Sequence, residues 1–144
     1  MDESQLIEYS YHEVEKPNLE EEAITKLIRN ITSDHEYRIG SISIVLCTDG
    51  YLLEINKSFL DHNYFTDIIT FDLSDTPKTI DCELYISTDR VKENAFNLAV
   101  SFEKELYRVI IHGILHLVGF DDKDPISKEQ MSKKEDYYLE RAKI

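Results

Sequence analysis

The chain has 144 residues, enough to bury a hydrophobic core, and we expect residues 1–144 to form a single domain. It is 42% apolar and 31% charged, and no apolar run approaches the roughly 20 residues that a membrane-spanning helix needs. The net charge of −13 disfavours non-specific attraction to nucleic acid or to an anionic membrane, so any contact with nucleic acid requires a local basic patch.

The N-terminal segment and the cysteines indicate a cytoplasmic protein. MDESQLIEYSYHEVEK is polar and acidic, without the basic start and apolar stretch of a signal peptide. Cys47 and Cys82 are isolated and form no CxxC pattern. We therefore predict that both are small apolar core residues rather than disulfide partners or metal ligands.

The first half of the chain alternates predicted strands with predicted helices. The apolar opening at residues 6–11 predicts a strand, and LEEEAITKLIRNI predicts a helix with Asn18 as its candidate N-cap. From Gly40, GSISIVLC alternates Ile and Leu with Ser and Val, which predicts a strand buried mainly on one face. Thr48 and Asp49 are candidate caps of a second helix, DGYLLEINKSFL.

Two more strands and a third helix follow. DIITFDL, residues 67–73, is rich in β-branched and aromatic side chains, as strands are. A polar loop through Pro77 leads to CELYIS, residues 82–87, which predicts another strand. Ser87 or Thr88 is a candidate start for the helix TDRVKENAFNLAV.

Two helices complete the chain. Ser101 is the candidate start of FEKELYRVIIHGILHLV, the most apolar helix, which Gly119 ends. After Pro125, Ser127 is the candidate cap of KEQMSKKEDYYLERAKI. The whole order predicts an α/β (α+β) domain with a small mixed sheet of about four strands, packed with about five helices. It does not fix the order of the strands.

The segment HGILHLVGFDD predicts a metal site at the end of the buried helix. His112 and His116 lie about 40° apart around the helix axis, on one stripe, although such a pair serves packing as readily as metal binding. Gly119 can adopt the left-handed conformation that turns the chain back. Asp122 then occupies the third-ligand position of the longer zincin signature, in which the ligand follows the glycine by three residues. Three ligands with one open position are typical of a catalytic zinc ion.

Gly113 argues against a peptidase, because zinc peptidases with this spacing carry their general base, a glutamate, at that position. A bound zinc ion would still lower the pKa of a water molecule to about 7 and polarise a phosphoryl or carbonyl oxygen. The base must then come from elsewhere. Asp121 is the nearest candidate, whereas Asp67 and Glu83 lie on predicted strands and could equally be solvated charges or caps.

Three sequence blocks resemble the YbeY family of metal-dependent endoribonucleases of ribosomal RNA maturation. HGILHLVGFDD is similar to H-G-x-L-H-L-x-G-[YF]-D-H, with Asp122 in place of the final histidine. INKSFLDHNYFTDIITFDL resembles L-N-x-x-[YF]-R-x4-T-D-V-L-S-F, and CELYISTDRVKENA resembles a G-D-I-x-I-S…A block. The resemblance covers nearly all of the chain after about residue 40. In the second block it rests on Asn56, Phe59, Thr66, Asp67 and Phe71.

The resemblance implies that His112, His116 and Asp122 bind one zinc ion. It implies hydrolysis of single-stranded RNA in processing the 3′ end of small-subunit ribosomal RNA and in ribosome quality control. The partners would be single-stranded RNA and the small ribosomal subunit, with neither DNA nor a membrane expected.

The chain departs from the family pattern at three further positions. The family arginine falls at Leu60, so its function is either absent or supplied by another residue such as Lys57, Arg90 or Arg108. The glycine and aspartate of the third block fall at Cys82 and Glu83. The main alternative is a non-catalytic ribosome-assembly factor stabilised by its metal, and a third possibility is a metal hydrolase of small molecules or peptides.

Overall fold

The computed structural model of the chain describes residues 6–62 and 64–143. The elements within these residues are β1 (Ile7–Tyr11), α1 (Glu21–Asp34), β2 (Arg38–Cys47), α2 (Asp49–Leu60), β3 (Ile68–Asp72), β4 (Thr79–Ser87), α3 (Thr88–Leu98), α4 (Phe102–Leu117) and α5 (Pro125–Arg141). They follow one another in the predicted order, which confirms the mixed α/β fold. Ile144, predicted as the last residue of the final helix, lies outside the described residues.

The four strands form one sheet in the order β1-β2-β4-β3. β1, β2 and β4 are parallel, with Ile44 level with Leu84, whereas β3 runs antiparallel along β4, with Ile68 level with Ile86. Parallel neighbours need a crossover, and α1 supplies the crossover between β1 and β2. The antiparallel β3 is an edge strand, and its first residues lie beside the end of β4.

The two faces of the sheet bury different helices because side chains alternate along each strand. On one face, apolar residues of β2 and β4 such as Ile44 and Leu84 pack in the main core, which includes α1 and α4. On the other face, Ile69 joins a smaller cluster with Leu52 and Ile55 of α2. A residue's place along β3 or β4 therefore decides whether it faces α4 or α2.

The cysteines are core residues, as predicted. Cys47 and Cys82 are free thiols and 0% and 2% exposed, respectively. Burial raises the pKa of the Cys47 thiol to about 11 and that of Cys82 to about 12. Both are therefore neutral at pH 7 and poor nucleophiles.

Three of the predicted helix caps are confirmed. The hydroxyl oxygens of Thr48, Ser87 and Ser101 each accept a hydrogen bond from a backbone N–H in the first turn of α2, α3 and α4. No described helix is long and apolar enough to cross a membrane.

Two predicted caps are wrong. α1 begins at Glu21, after Glu20, because the chain at Asn18 is still in a turn closed by a hydrogen bond from the N–H of Leu19 to the carbonyl of Pro17. α5 begins at Pro125 rather than after Ser127. Asp124 is its N-cap, and the fixed φ of a proline suits the first helical position.

Candidate metal centre

Three ligand atoms converge where α4 ends. Nε2 of His112 and Nε2 of His116 lie 3.1 Å apart. Oδ2 of Asp122 is 3.4 Å from the first nitrogen and 3.5 Å from the second. Tetrahedral zinc with bonds of about 2.0–2.1 Å places its ligand atoms about 3.3–3.4 Å from one another. The donor set and its spacing therefore fit one such ion with a further coordination position open.

The turn at Gly119 brings the carboxylate of Asp122 back to His112 and His116. The φ of Gly119 is +106°, a conformation that residues with a side chain rarely adopt. The N–H of Gly119 donates to the carbonyl of His116, and the N–H of Phe120 donates to the carbonyl of Leu115, so α4 ends with its carbonyls satisfied. The turn predicted from the sequence thus places Asp122 against the histidine stripe.

Both imidazoles are held by their Nδ1 atoms. Nδ1 of His116 lies 3.0 Å from the carbonyl oxygen of Phe120, which can only accept, so this nitrogen carries the hydrogen. Nδ1 of His112 lies 2.6 Å from Oε2 of Glu135, which is 5% exposed. These contacts leave the Nε2 lone pairs directed at the site, as in carboxylate–histidine–zinc arrangements.

Glu135 belongs to a buried ionic network. Its other oxygen, Oε1, accepts from Nη1 of Arg108 at 3.1 Å. Nε of Arg108 donates to Oε1 of Glu105 at 2.8 Å, and Nη2 donates to the second oxygen of that carboxylate. Glu105 is 1% exposed, and the hydrogen bonds with it raise the pKa of Arg108 above its ordinary value. The network runs Glu105, Arg108, Glu135, His112 and joins α4 to α5.

The charges around His112 favour a cation. Burial lowers the pKa of His112, but the hydrogen bond and charge of Glu135, with the charges of Asp122 and Asp67, outweigh it and leave the pKa raised. The same carboxylates would stabilise a metal cation.

Gly113 is required by close packing. A Cβ atom there would lie 2.9 Å from Cδ1 of Ile68 and 3.3 Å from both Cδ2 of Leu84 and Oγ1 of Thr70. α4 therefore lies against β3 and β4 at this residue, without space for the glutamate of a zinc peptidase.

Asp67 lies beside the metal centre. It directly precedes β3, whose first residue, Ile68, contacts α4 at Gly113, and its charge contributes to the raised pKa of His112. Its Oδ2 accepts from Nδ2 of Asn94 at 3.2 Å, which fixes the carboxylate.

The other two candidate bases are placed differently. Asp121 is exposed on the turn between α4 and α5, where its Oδ1 accepts from the N–H of Lys123 at 2.6 Å. Glu83 is level with Phe71 and next to Tyr85, which both pack on the α2 side of the sheet. The structure therefore does not bring Glu83 to the metal centre.

Of the three candidate RNA-contacting cations, two are paired with carboxylates and one is exposed. Arg108 belongs to the buried network, and Arg90 pairs with Asp49 at 2.8 Å and Glu93 at 3.0 Å. Lys57 is exposed on α2 and forms no ion pair with the residues that the structure describes.

Sequence reasoning missed Glu135 and Asn94. Glu135 shares the buried stripe of α5 with Met131 and Tyr138. A lone carboxylate in an apolar stripe is a signal that could have identified it, since buried carboxylates need partners. Asn94 has no comparable signal, because half-exposed amides are common on helices.

Known proteins are similar to this chain over most of its length. The family profile described as Endoribonuclease YbeY matches residues 8–143. A protein named Endoribonuclease YbeY from Cytophaga hutchinsonii is 44% identical over 117 residues, which cover 81% of this chain and 82% of that protein. Its namesake from Bacteroides thetaiotaomicron is 38% identical over 133 residues, or 92% and 96% of the two chains. A Thermotoga maritima protein with a solution structure matches 94% of this chain and 88% of its own with 28% identity and a TM-score of 0.66.

The first prediction concerns Glu135. Glu135→Gln should weaken zinc binding about 10–100-fold, because the amide no longer holds His112 with a charged acceptor. Zinc affinity would be measured by competition with a chromophoric chelator. Glu140→Gln, an exposed change of the same charge on α5, is the control and should leave affinity unaltered. Equal affinities for both variants would contradict a role for Glu135.

The second prediction concerns Gly113. Gly113→Glu should lower the free energy of unfolding by more than about 3 kcal/mol, because a carboxylate would enter a packed contact. Gly113→Ala should cost no more than about 2 kcal/mol, since Cδ1 of Ile68 can move and alanine favours the helix. Urea unfolding followed by circular dichroism measures both. Gly50→Glu is the matched control, because no atom lies within 4 Å of a Cβ there. A fully stable Gly113→Glu protein would refute the packing argument.

Proposed function

The chain belongs to the YbeY family of endoribonucleases, and on that premise we propose that it is a zinc-dependent endoribonuclease specific for single strands. It would act as a single cytoplasmic domain in maturation of the 3′ end of small-subunit ribosomal RNA and in ribosome quality control. Its partners would be single-stranded RNA and the small ribosomal subunit.

The observation that supports this proposal is the three-atom site at the end of α4. His112, His116 and Asp122 would hold the ion, and the closest spacing among their ligand atoms is 3.1 Å. A zinc ion held there would lower the pKa of a water molecule and polarise a phosphoryl oxygen. Glu135 and the carbonyl of Phe120 keep the two rings in the ligating orientation.

Asp67 is the base that we propose. Its carboxylate is oriented by Asn94 and can take a proton from the attacking water. Asp121 is the second choice, since it is exposed on the adjoining turn and already accepts from a backbone N–H. Gly113 supports phosphodiester rather than peptide hydrolysis, because the packing of α4 leaves no room for a peptidase glutamate.

A specific observation favours the alternative, a non-catalytic ribosome-assembly factor stabilised by its metal. Leu60, which is 40% exposed, stands at the position of the family arginine. Two of the cations that could replace that arginine, Arg90 and Arg108, are bound to carboxylates. The site would then stabilise the end of α4 and the turn before α5.

Cleavage of a labelled single-stranded RNA tests the enzyme proposal. His116→Ala should lose both zinc and activity. Asp67→Asn should keep zinc, measured by metal analysis, and lower kcat by about 10²-fold or more, because general base catalysis typically contributes that much. Asp121→Asn and Glu83→Gln remove the same charge elsewhere and should change kcat little. Full activity of Asp67→Asn would exclude Asp67 as the base.

A different result would support the assembly factor. It predicts stoichiometric zinc, equal and negligible cleavage by wild type and His116→Ala, and a sharp fall in melting temperature when a chelator removes the metal. Zinc-dependent cleavage that His116→Ala abolishes would refute it.

A further inference from the structure

A cleft lined by aromatic and basic residues lies along α5. We call it the α5 cleft; it has a volume of about 540 Å³ and is lined by Phe120, Gln130, Lys133, Lys134 and Tyr137. Tyr137 is 42% exposed, so its ring is accessible to a ligand. Neither the family signature nor the metal site includes Gln130, the two lysines or Tyr137.

One hydrogen bond and one peptide bond connect residues of the α5 cleft to the groups that hold the two histidines. Phe120 lines the cleft, while its carbonyl oxygen accepts from Nδ1 of His116 at 3.0 Å. Lys134 directly precedes Glu135, whose carboxylate holds His112 at 2.6 Å. The cleft is thus connected to both imidazoles through the two groups that contact their Nδ1 atoms.

The cleft gathers positive charge in an acidic protein. Nζ of Lys134 and the guanidinium carbon of Arg141 each lie 5.3 Å from the centre of the Tyr137 ring, and Nη1 of Arg141 donates to the Tyr137 hydroxyl at 2.7 Å. Lys133 pairs with Glu129 at 3.2 Å, with both side chains exposed. Exposed pairs of this kind are weak, so Lys133 can exchange its partner for a phosphate. Lys134 makes no ion pair with any described residue.

This concentration of charge offsets the loss of the other candidate cations. Residues 123–143 contain six of the sixteen lysines and arginines of the chain. Arg90 and Arg108, in contrast, are occupied by carboxylates. Lys133 and Lys134 of α5, like Lys57 of α2, are therefore exposed or weakly paired cations that can contact phosphate.

We propose that the α5 cleft binds a nucleotide of the single-stranded RNA substrate at a site separate from the candidate metal ligands. The base stacks on Tyr137 beside Phe120, where it replaces the ammonium group of Lys134 over the ring. The amide of Gln130 then meets the polar edge of the base, and Lys133 and the displaced Lys134 contact the adjoining phosphates. Aromatic rings combined with ammonium groups are the usual means of holding an unpaired strand. This proposal rests on the proposed function, because it assumes that RNA is the substrate.

The cleft is tested by measuring the binding of a fluorescent single-stranded oligouridylate. Fluorescence anisotropy is recorded on ice, and a gel verifies that the RNA stays intact. Tyr137→Ala and Lys134→Glu should each weaken binding about tenfold, and Lys134→Glu should also reduce the salt dependence. Tyr137→Phe should retain most of the affinity because it keeps the ring.

Lys78→Glu is the matched control. Nζ of Lys78 lies 4.6 Å from the centre of the Tyr37 ring, so the control changes the same charge beside the same kind of ring. Lys78 directly precedes the first residue of β4 and is not part of the α5 cleft. If Lys78→Glu and Lys134→Glu weaken binding equally, only net charge matters and the cleft proposal is overturned. In cleavage assays, Lys134→Glu should raise KM and leave kcat unchanged.

Photocrosslinking separates this proposal from the proposed function. RNA with 4-thiouridine should crosslink to Tyr137 or Phe120, as mapped by mass spectrometry. Cleavage by the zinc-loaded protein with crosslinks only outside the cleft would overturn the cleft and leave the endoribonuclease standing. Crosslinks in the cleft without any zinc-dependent cleavage would support the RNA-binding site and refute the proposed endoribonuclease activity.

Discussion

The carboxylate of Glu135 connects the parts on which the candidate site depends. One of its oxygens accepts from Arg108 and the other from His112, and the residue is 5% exposed. A buried anion is tolerated only where it is paired and hydrogen-bonded, and a buried cation left without its partner is equally costly. The docking of α5 on α4 and the orientation of the His112 ring are therefore stabilised by the same contacts. The fold and the metal centre cannot be perturbed independently at this point.

The three side chains of the candidate metal site could be grouped from the sequence because their arrangement is local. His112 and His116 share a stripe by the helical period, and the turn at Gly119 carries Asp122 back within a few residues. Glu135 is 23 residues from His112, and only the packing of α5 on α4 brings the two together. No spacing rule describes such a contact. The misplaced start of α5 has a different, local cause, because Asp124 and Pro125 form a cap and first-position signal that outweighs Ser127.

The order of the elements was predictable and the order of the strands was not. Periods of 2 and 3.6 residues are properties of the chain itself, whereas β1-β2-β4-β3 depends on which strands pair in the folded molecule. The register of the strands also distinguishes Asp67 from Glu83, the two candidate bases that the sequence places on strands without ranking them. Glu83 is level with Phe71 on the α2 side, whereas Asp67 stands at the end of β3 that meets α4. The sequence predicts both acids as candidate bases, and the sheet places the start of β3, next to Asp67, rather than Glu83 against α4.

The charge of the chain sets the remaining constraint on an RNA substrate. At −13 the protein repels a polyanion at long range, so steering of RNA by the whole molecule is excluded. At physiological salt that repulsion decays over about 8 Å, so within contact distance the nearest side chains decide the interaction. Two arginines are used to hold α3 and α5 in place, and six other basic residues lie in 123–143. An acidic chain can therefore retain an RNA site provided that stacking supplies much of the affinity, because stacking on Tyr137 does not depend on net charge.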